Sequence, residues 1–364
     1  MDTKNDFSKG SVTRNILKIA VPMTFAQLIN ILYNIVDRLY IGRIPENAFL
    51  ALTGLGICLP VISLVIAFTN LFGIGGAPLC SIARGEKNTQ KAERIIGNSF
   101  TMLVACSVAI TALALLFKRP LLYLFGASDT TYVYAADYMT IYILGTLFVM
   151  ISLGLNQYIN AQGFARVGMI TIALGAGVNI VLDPIFIFTL DMGVKGAALA
   201  TIISQFLSAL WVILFLTGKK AILKLRPAAM RMDWRLSGKI VSMGFTGFVM
   251  QGTNSLVLVL YNATIKIYGG DLYIGIMTVI QTVNEILRMP IYGMNYGAHP
   301  VVGYNYGAKE YGRVKSCIRV VSLISFSYTT LAWVALQIFP AMPTSLRAVS
   351  CPSGSIMLRL SSCF

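Results

Sequence analysis

Runs of about 20 apolar residues, separated by short polar loops, recur along most of the 364-residue chain, and each is long enough to cross a bilayer core of about 30 Å. No other feature restricts the fold so strongly. Only 12% of residues are charged and 56% are hydrophobic, where a soluble domain carries roughly 25% charged. Lipid, not water, is therefore the solvent for most side chains. A transmembrane barrel would show alternating segments of about 10 residues, which are absent. The expected architecture is all-α, with nine spans at 15–41, 51–77, 95–117, 133–158, 167–190, 194–217, 237–262, 272–300 and 316–340.

The net charge of +15 sits in loops rather than in a nucleic-acid-binding stripe, and nucleic acid is excluded as a partner. Most Lys and Arg fall in the N-terminal segment and in the loops after spans 2, 4, 6 and 8, among them Arg84, Lys87, Lys91, Arg94, Lys219, Lys220 and Lys309. The opposite loops hold only Arg38, Arg43, Lys118, Arg119, Lys195 and Lys266. That asymmetry assigns the N-terminus to the cytoplasm, with basic loops touching anionic lipid. The first apolar run lacks a small-residue cleavage site, so it reads as a span and not a signal peptide. Six cysteines without CxxC spacing suggest structural thiols, with neither a metal site nor a disulfide framework.

The chain repeats itself. FGIGGAPLCSIARGEK from Phe72 resembles YGMNYGAHPVVGYNYGAK from Tyr292, pairing Gly75 with Gly297, Pro78 with Pro300, Gly85 with Gly307 and Lys87 with Lys309. Six spans separate the copies, so both have the same orientation, as in parallel transporter repeats. The expected organisation is an N-terminal six-helix lobe (1–222), a C-terminal lobe holding about three of six helices (223–342), and an aberrant non-helical tail (343–364). The tail, rich in Ser, Cys and Pro, reads as a frameshift or premature stop, the alternative being a divergent natural tail.

Ionisable groups inside a span cost roughly 2.5–3.5 kcal/mol on insertion scales, which makes each a functional candidate. In span 1, Gln27, Asn30, Asn34 and Asp37 share a helical face. In span 5, Asp183 follows Asn179 by one turn and precedes Pro184, which removes a backbone donor. In span 6, Thr201, Ser204, Gln205 and Ser208 share a face, as either ligands or helix–helix contacts. Carboxylate, amide and hydroxyl oxygens in a low-dielectric pocket suit a proton or a sodium ion. Span 8 carries Gln281, Asn284, Glu285 and Arg288 as cavity-lining candidates, with Glu285 and Arg288 spaced either to neutralise each other or to meet substrate. His299, the one histidine, reads as structural. No phosphate loop, metal–diphosphate cluster or catalytic triad occurs, so the chain is not expected to be an enzyme and needs no cofactor.

In order along residues 10–340, NIVDRLYIG, LTGLGICLP, FGIGGAPLCSIARGE, QYINAQGFARVGM, GVNIVLDPIF with GVKGAALATIISQ, and PVVGYNYGAK resemble bacterial MATE (multidrug and toxic compound extrusion) transporters. The resemblance implies a two-lobe bundle of twelve helices in the bacterial inner membrane. It implies export of organic cations or amphiphiles in exchange for sodium or protons, by a protein expected to act as a monomer. It makes Asp37 and Asp183 the coupling carboxylates, with Asn179 and Thr201 as companion ligands, and Pro22 the point where span 1 bends. The alternatives are a lipid-linked oligosaccharide flippase of the same superfamily, against which the lone intramembrane Arg288 argues, and a truncated non-transporting remnant.

Overall fold

The computed structural model describes residues 6–44 and 48–338, and within 254–283 it describes the backbone and few side chains; the tail at 343–364 lies outside the described residues. Helices account for nearly all of this chain: α1 (Val12–Ile41), α2 (Ala48–Gly85), α3 (Thr89–Leu116), α4 (Lys118–Leu124), α5 (Asp129–Leu144), α6 (Thr146–Ala161), α7 (Ala165–Pro184), α8 (Gly193–Thr217), α9 (Trp234–Gly307) and α10 (Tyr311–Ile338). No strand occurs among the described residues, as expected where backbone polar groups must be satisfied within each segment. Met1–Ile318 forms one unit. The part of α10 from Arg319 onward belongs to a second unit and is a plain apolar helix there, its Leu323, Phe326, Leu331 and Trp333 exposed.

Among the described residues six helices are each long and apolar enough to span a membrane, and α5 with α6 form a seventh candidate bent by 55°. The sequence reading took this pair as one straight span, 133–158. The bend falls at Gly145, where the Cδ1 of Ile202 from α8 lies 1.9 Å from the place a Cβ would occupy, so α8 packs into the corner. Short α4, also unexpected, lies between spans. Pro22 sits inside an uninterrupted α1.

A second difference concerns α9, read from sequence as two spans joined by a loop. Helical backbone continues through the whole run, yet the chain reverses within it. Gly75 of α2 abuts Ile240 and Gly244 near the start of α9, while Gly85 abuts Tyr304 near its end. Those α2 positions are about 15 Å apart, whereas a straight helix would separate residues 240 and 304 by about 96 Å. The run is therefore two arms, one from Trp234 and one ending at Gly307, with the chain doubling back between them.

The internal repeat is visible in the backbone. Lys87 and Lys309, repeat partners, are the terminal residues of matching turns and both adopt positive φ, at 59° and 62°. Around them, Glu86, Lys87 and Asn88 donate to the carbonyls of Ile82, Arg84 and Ala83, and Ala308, Lys309 and Glu310 donate to those of Tyr304, Tyr306 and Asn305. The packing repeats as well. A Cβ on Gly85 would lie 2.0 Å from the Tyr304 carbonyl oxygen, and one on Gly307 would lie 2.0 Å from that of Ile82. Gly244 likewise meets the Leu71 carbonyl, and Gly293, the repeat partner of Leu71, meets Thr24 and the Ala20 carbonyl. Small residues thus let α2 and α1 touch the two arms of α9 backbone to backbone, the arrangement that holds helices together in lipid.

The segment before α1 ties these elements at one end. Phe7 is buried, its ring edge-on to Tyr304, with the Arg84 guanidinium 5.4 Å and 5.1 Å from the two ring centroids. Arg84 also donates to the Ala161 carbonyl. The Phe7 carbonyl accepts from Asn305 Nδ2 at 3.2 Å and Arg313 Nη2 at 2.9 Å. Tyr304 donates to Asp6. Burial raises the Asp6 pKa, but hydrogen bonds from Ser8 and Tyr304 outweigh it and hold the carboxyl below its usual value, so Asp6 is charged at neutral pH.

The glycine crossings predict a sharp contrast. Gly244→Ala and Gly307→Ala should each lower stability by about 1–3 kcal/mol, the usual cost of overpacking, read as a lower melting midpoint in detergent. Gly56→Ala, with open space around the added methyl, should leave the midpoint unchanged or raised.

Candidate functional site

The intramembrane carboxylates meet. Asp37 arrives from the last turn but one of α1, Asn179 and Asp183 from the end of α7, and Thr201 from α8; all four are buried, Asn179 and Asp183 completely. Asn179 Nδ2 donates to Asp183 Oδ1 at 3.2 Å and lies 3.4 Å from Thr201 Oγ1. The Asp37 and Asp183 carboxyls are within hydrogen-bonding reach of each other. Tyr33, one turn before Asp37, lies against Thr201, and Tyr138 and Tyr142 of α5, stacked at 6.0 Å, are buried beside them.

Three oxygens in this chamber, Asp37 Oδ1, Asp183 Oδ2 and Asn179 Oδ1, are buried with no hydrogen-bond donor. Ionised carboxylates only accept, and two of them facing each other in low dielectric repel. The arrangement is a cluster of electron pairs whose members form no ion pair among the described residues, the Arg38 charge acting on Asp37 only from a distance. Among the described residues no group of three or more His, Cys, Asp or Glu could hold a metal, so the chamber offers two carboxylates, an amide and hydroxyls.

Local backbone chemistry fixes Asp183. Pro184 cannot donate, and the chain continues as a π-helical turn, Ile185–Thr189, a device frequent at functional sites. Gly196 of α8 packs onto this turn, where a Cβ would lie 2.6 Å from the Phe186 carbonyl carbon. α8 then runs close enough to α7 to bring Thr201 to Asn179.

The other sequence candidates divide. Asn30 and Asn34 are exposed and bonded along the helix, Asn34 Nδ2 donating to the Asn30 carbonyl at 2.7 Å; Gln27 is half-buried. Gln205 accepts from Ser152 at 2.6 Å. Ser204 donates to the Thr201 carbonyl and Ser208 to that of Thr171, so these serines serve helix geometry and packing. Asn284, Glu285 and Arg288 are exposed, and Glu285 forms no ion pair with Arg288, since the ion pairs among described residues are Lys91–Glu86, Lys195–Asp137 and Arg226–Glu93. Gln281 lies outside the described side chains.

Sequence reasoning missed a second feature. A cavity of about 250 Å³ between α2, α6 and the second arm of α9 is lined by Gln157, Asn160, Tyr292, Asn295, Tyr296 and His299, among others. Both polar atoms of the buried Asn160 side chain lack partners. His299 thus faces this cavity instead of filling a core position. The signal was present: Tyr292, Asn295, Tyr296 and His299 recur at three- and four-residue spacing along one helical face.

A multi-span bundle, a buried acidic chamber in one half and a cavity between halves define a multi-pass membrane transporter. The chain belongs to the MatE family, whose profile matches residues 22–185 and 248–347, and members of that family are transporters, not enzymes. It is 29% identical over 318 residues to the multidrug export protein MepA of Staphylococcus haemolyticus and 27% identical to MepA of Staphylococcus aureus, in each case across 86% of this chain and 69% of the relative. A solved outward-facing multidrug resistance MATE transporter superposes with a TM-score of 0.87 at 22% identity, covering 96% of this chain and 77% of that one.

Gly196→Val should displace the π turn and with it Asp183. The expected outcome is a loss of about 1–3 kcal/mol in stability, measured by thermal unfolding in detergent, with Gly177→Ala, which has open space, as the neutral comparison.

Proposed function

We propose that the chain is a proton-coupled antiporter of the bacterial inner membrane, N-terminus cytoplasmic, that exports amphiphilic organic cations by alternating access. The observation that carries this reading is the Asp37–Asp183 contact with its donorless oxygens. Two buried carboxyls that face each other without a basic partner between them need one proton or cation to be stable there. Occupied, they attract; empty, they repel, and α1 and α7 are pushed apart. Sodium is the second reading, favoured by the amide oxygen of Asn179 and the hydroxyl of Thr201 in the same chamber.

Helix α1 is the natural transmitter. It carries Asp37 near one end, crosses the second arm of α9 through Ala20 and Thr24, and holds Pro22 between, where a missing backbone hydrogen bond lowers the cost of bending. Movement of α1 on proton release would alter the seam that borders the inter-lobe cavity. Tyr292, Tyr296 and the amides around that cavity, with no carboxylate in its lining, suit a flat amphiphilic cation held by stacking and cation–π attraction. Multidrug export, the function of the MepA relatives, agrees with this chemistry.

In cells, Asp37→Asn and Asp183→Asn should each return drug resistance to the level of an empty vector while the protein still reaches the membrane; resistance surviving both changes excludes the chamber from the mechanism. In vesicles, substrate efflux should follow an imposed pH gradient. Efflux that follows only a sodium gradient would replace the proton with sodium and leave the site assignment intact.

A further inference from the structure

At the opposite end of the bundle from Asp37, the starts of α3 and α9 converge on a second cavity. Because α2 returns antiparallel to α1, α3 begins at the membrane face where α1 begins, the face bearing most of the basic loops. The cavity, about 220 Å³, is lined by Asn88, Gln90, Lys91, Arg94, Asp233, Arg235, Leu236 and Lys239. Four cations thus face two carboxylates, Asp233 within the lining and Glu86 beside it. Glu86 is bound to Lys91 at 2.8 Å, and Asp233 Oδ1 accepts from the backbone N–H groups of Arg235 and Leu236, capping α9. Glu93, the next nearest acid along α3, is turned to the buried side, where it pairs with Arg226 and accepts from the Lys224 N–H. Arg94, Arg235 and Lys239 form no ion pair among the described residues.

Two helix N-termini add partial positive charge to the same space. Asn88 caps α3 by accepting from the Lys91 N–H, Asp233 caps α9, and the remaining first-turn N–H groups lack intrahelical acceptors. The convergence is rigid. Buried Asn98 of α3 accepts from the Asp233 N–H at 3.1 Å and donates to Ser237 Oγ at 2.9 Å, which locks the two helix starts together. Next to the cavity, Trp234 is 78% exposed and Met232 is exposed too. A Trp so placed in a membrane protein marks the headgroup level, where its ring is half in hydrocarbon and half in water.

We infer that this cavity binds the headgroup of an anionic phospholipid, with its phosphodiester held by Arg94, Arg235 and Lys239 and the hydroxyls of a glycerol-type headgroup held by Asn88 and Gln90. Lipid, not soluble phosphate, is the occupant because the site lies at headgroup depth beside an exposed aromatic anchor, and basic pockets between helices at this level take anionic lipid. The occupant bridges α3 of the first lobe to α9 of the second and so clamps the inter-lobe crossing. This reading is independent of the coupling chamber.

The test uses the full chain with Trp211→Phe and Trp333→Phe, so that Trp234 reports alone, in nanodiscs of phosphatidylcholine doped with brominated phosphatidylglycerol. Wild-type Trp234 should be quenched more by brominated phosphatidylglycerol than by an equal fraction of brominated phosphatidylcholine. Replacing Arg94, Arg235 and Lys239 together by Gln should weaken the preference about 100-fold, from about 1 kcal/mol per basic residue and 1.4 kcal/mol per tenfold. Removing Lys219, Lys220 and Lys315 instead should leave it intact. Equal quenching by the two lipids in the wild type, or equal loss in the two triple variants, overturns the proposal. So does displacement of the phosphatidylglycerol signal by millimolar inorganic phosphate, which would make the occupant a soluble anion. If the Gln triple variant does not fold, Arg94→Gln alone and the wild-type lipid preference still decide the matter.

Discussion

Lipid supplies no hydrophobic force to press one helix against another, so the union of the two halves depends on backbone-to-backbone packing. Here that packing is concentrated where α2 and α1 cross the two arms of α9. Gly85 and Gly307 each face the other repeat's carbonyl oxygen, as do Gly75 and Gly244 further along. Nothing larger fits, and nothing smaller exists. Two polar features lie along or beside this seam: the cavity between α2, α6 and α9 borders it, and the basic cavity closes one end of the α3–α9 contact.

The acidic chamber lies away from the seam, where α1, α7 and α8 bring Asp37, Asn179, Asp183 and Thr201 together. Helix α1, which carries Asp37, also meets α9 at Gly293 and Gly297 through Ala20 and Thr24. The asymmetry matters. The repeat has kept the glycines, the terminal turns and the positive-φ lysines, which serve packing. It has not kept Asp37, whose repeat position falls at an apolar residue, Leu258 or Val259.

Much of this was legible in the sequence because lipid imposes coarse rules. Span-length apolar runs located α1, α7 with its π turn, and α8 to within a few residues, while α2 runs on to Gly85 and α3 starts back at Thr89, through polar residues that hydropathy excludes; the spacing of Asn179 and Asp183 identified a face that the structure brings to Asp37 and Thr201. The misses have physical reasons. The bend at Gly145 depends on Ile202, a residue of another helix. The continuity of helical backbone through α9 is invisible to hydropathy, which sees only where apolar character lapses. Asn30 and Asn34 share a face with Asp37, yet they lie where α1 has no neighbour to cover them. Tyr292, Tyr296 and His299 formed a stripe, but a stripe on one helix does not say that a hollow lies opposite.

The segment preceding α1 has an implication for biosynthesis. Phe7 and Arg313 are 306 residues apart in sequence, so at about 5–20 residues per second the ribosome takes roughly 15–60 s to make the partner after the first is complete. Throughout that interval Asp6 and Phe7 have neither Tyr304 nor Asn305 to receive them. The first half must therefore insert and assemble with its leading residues undocked, and their docking reports that the final arm of α9 has arrived.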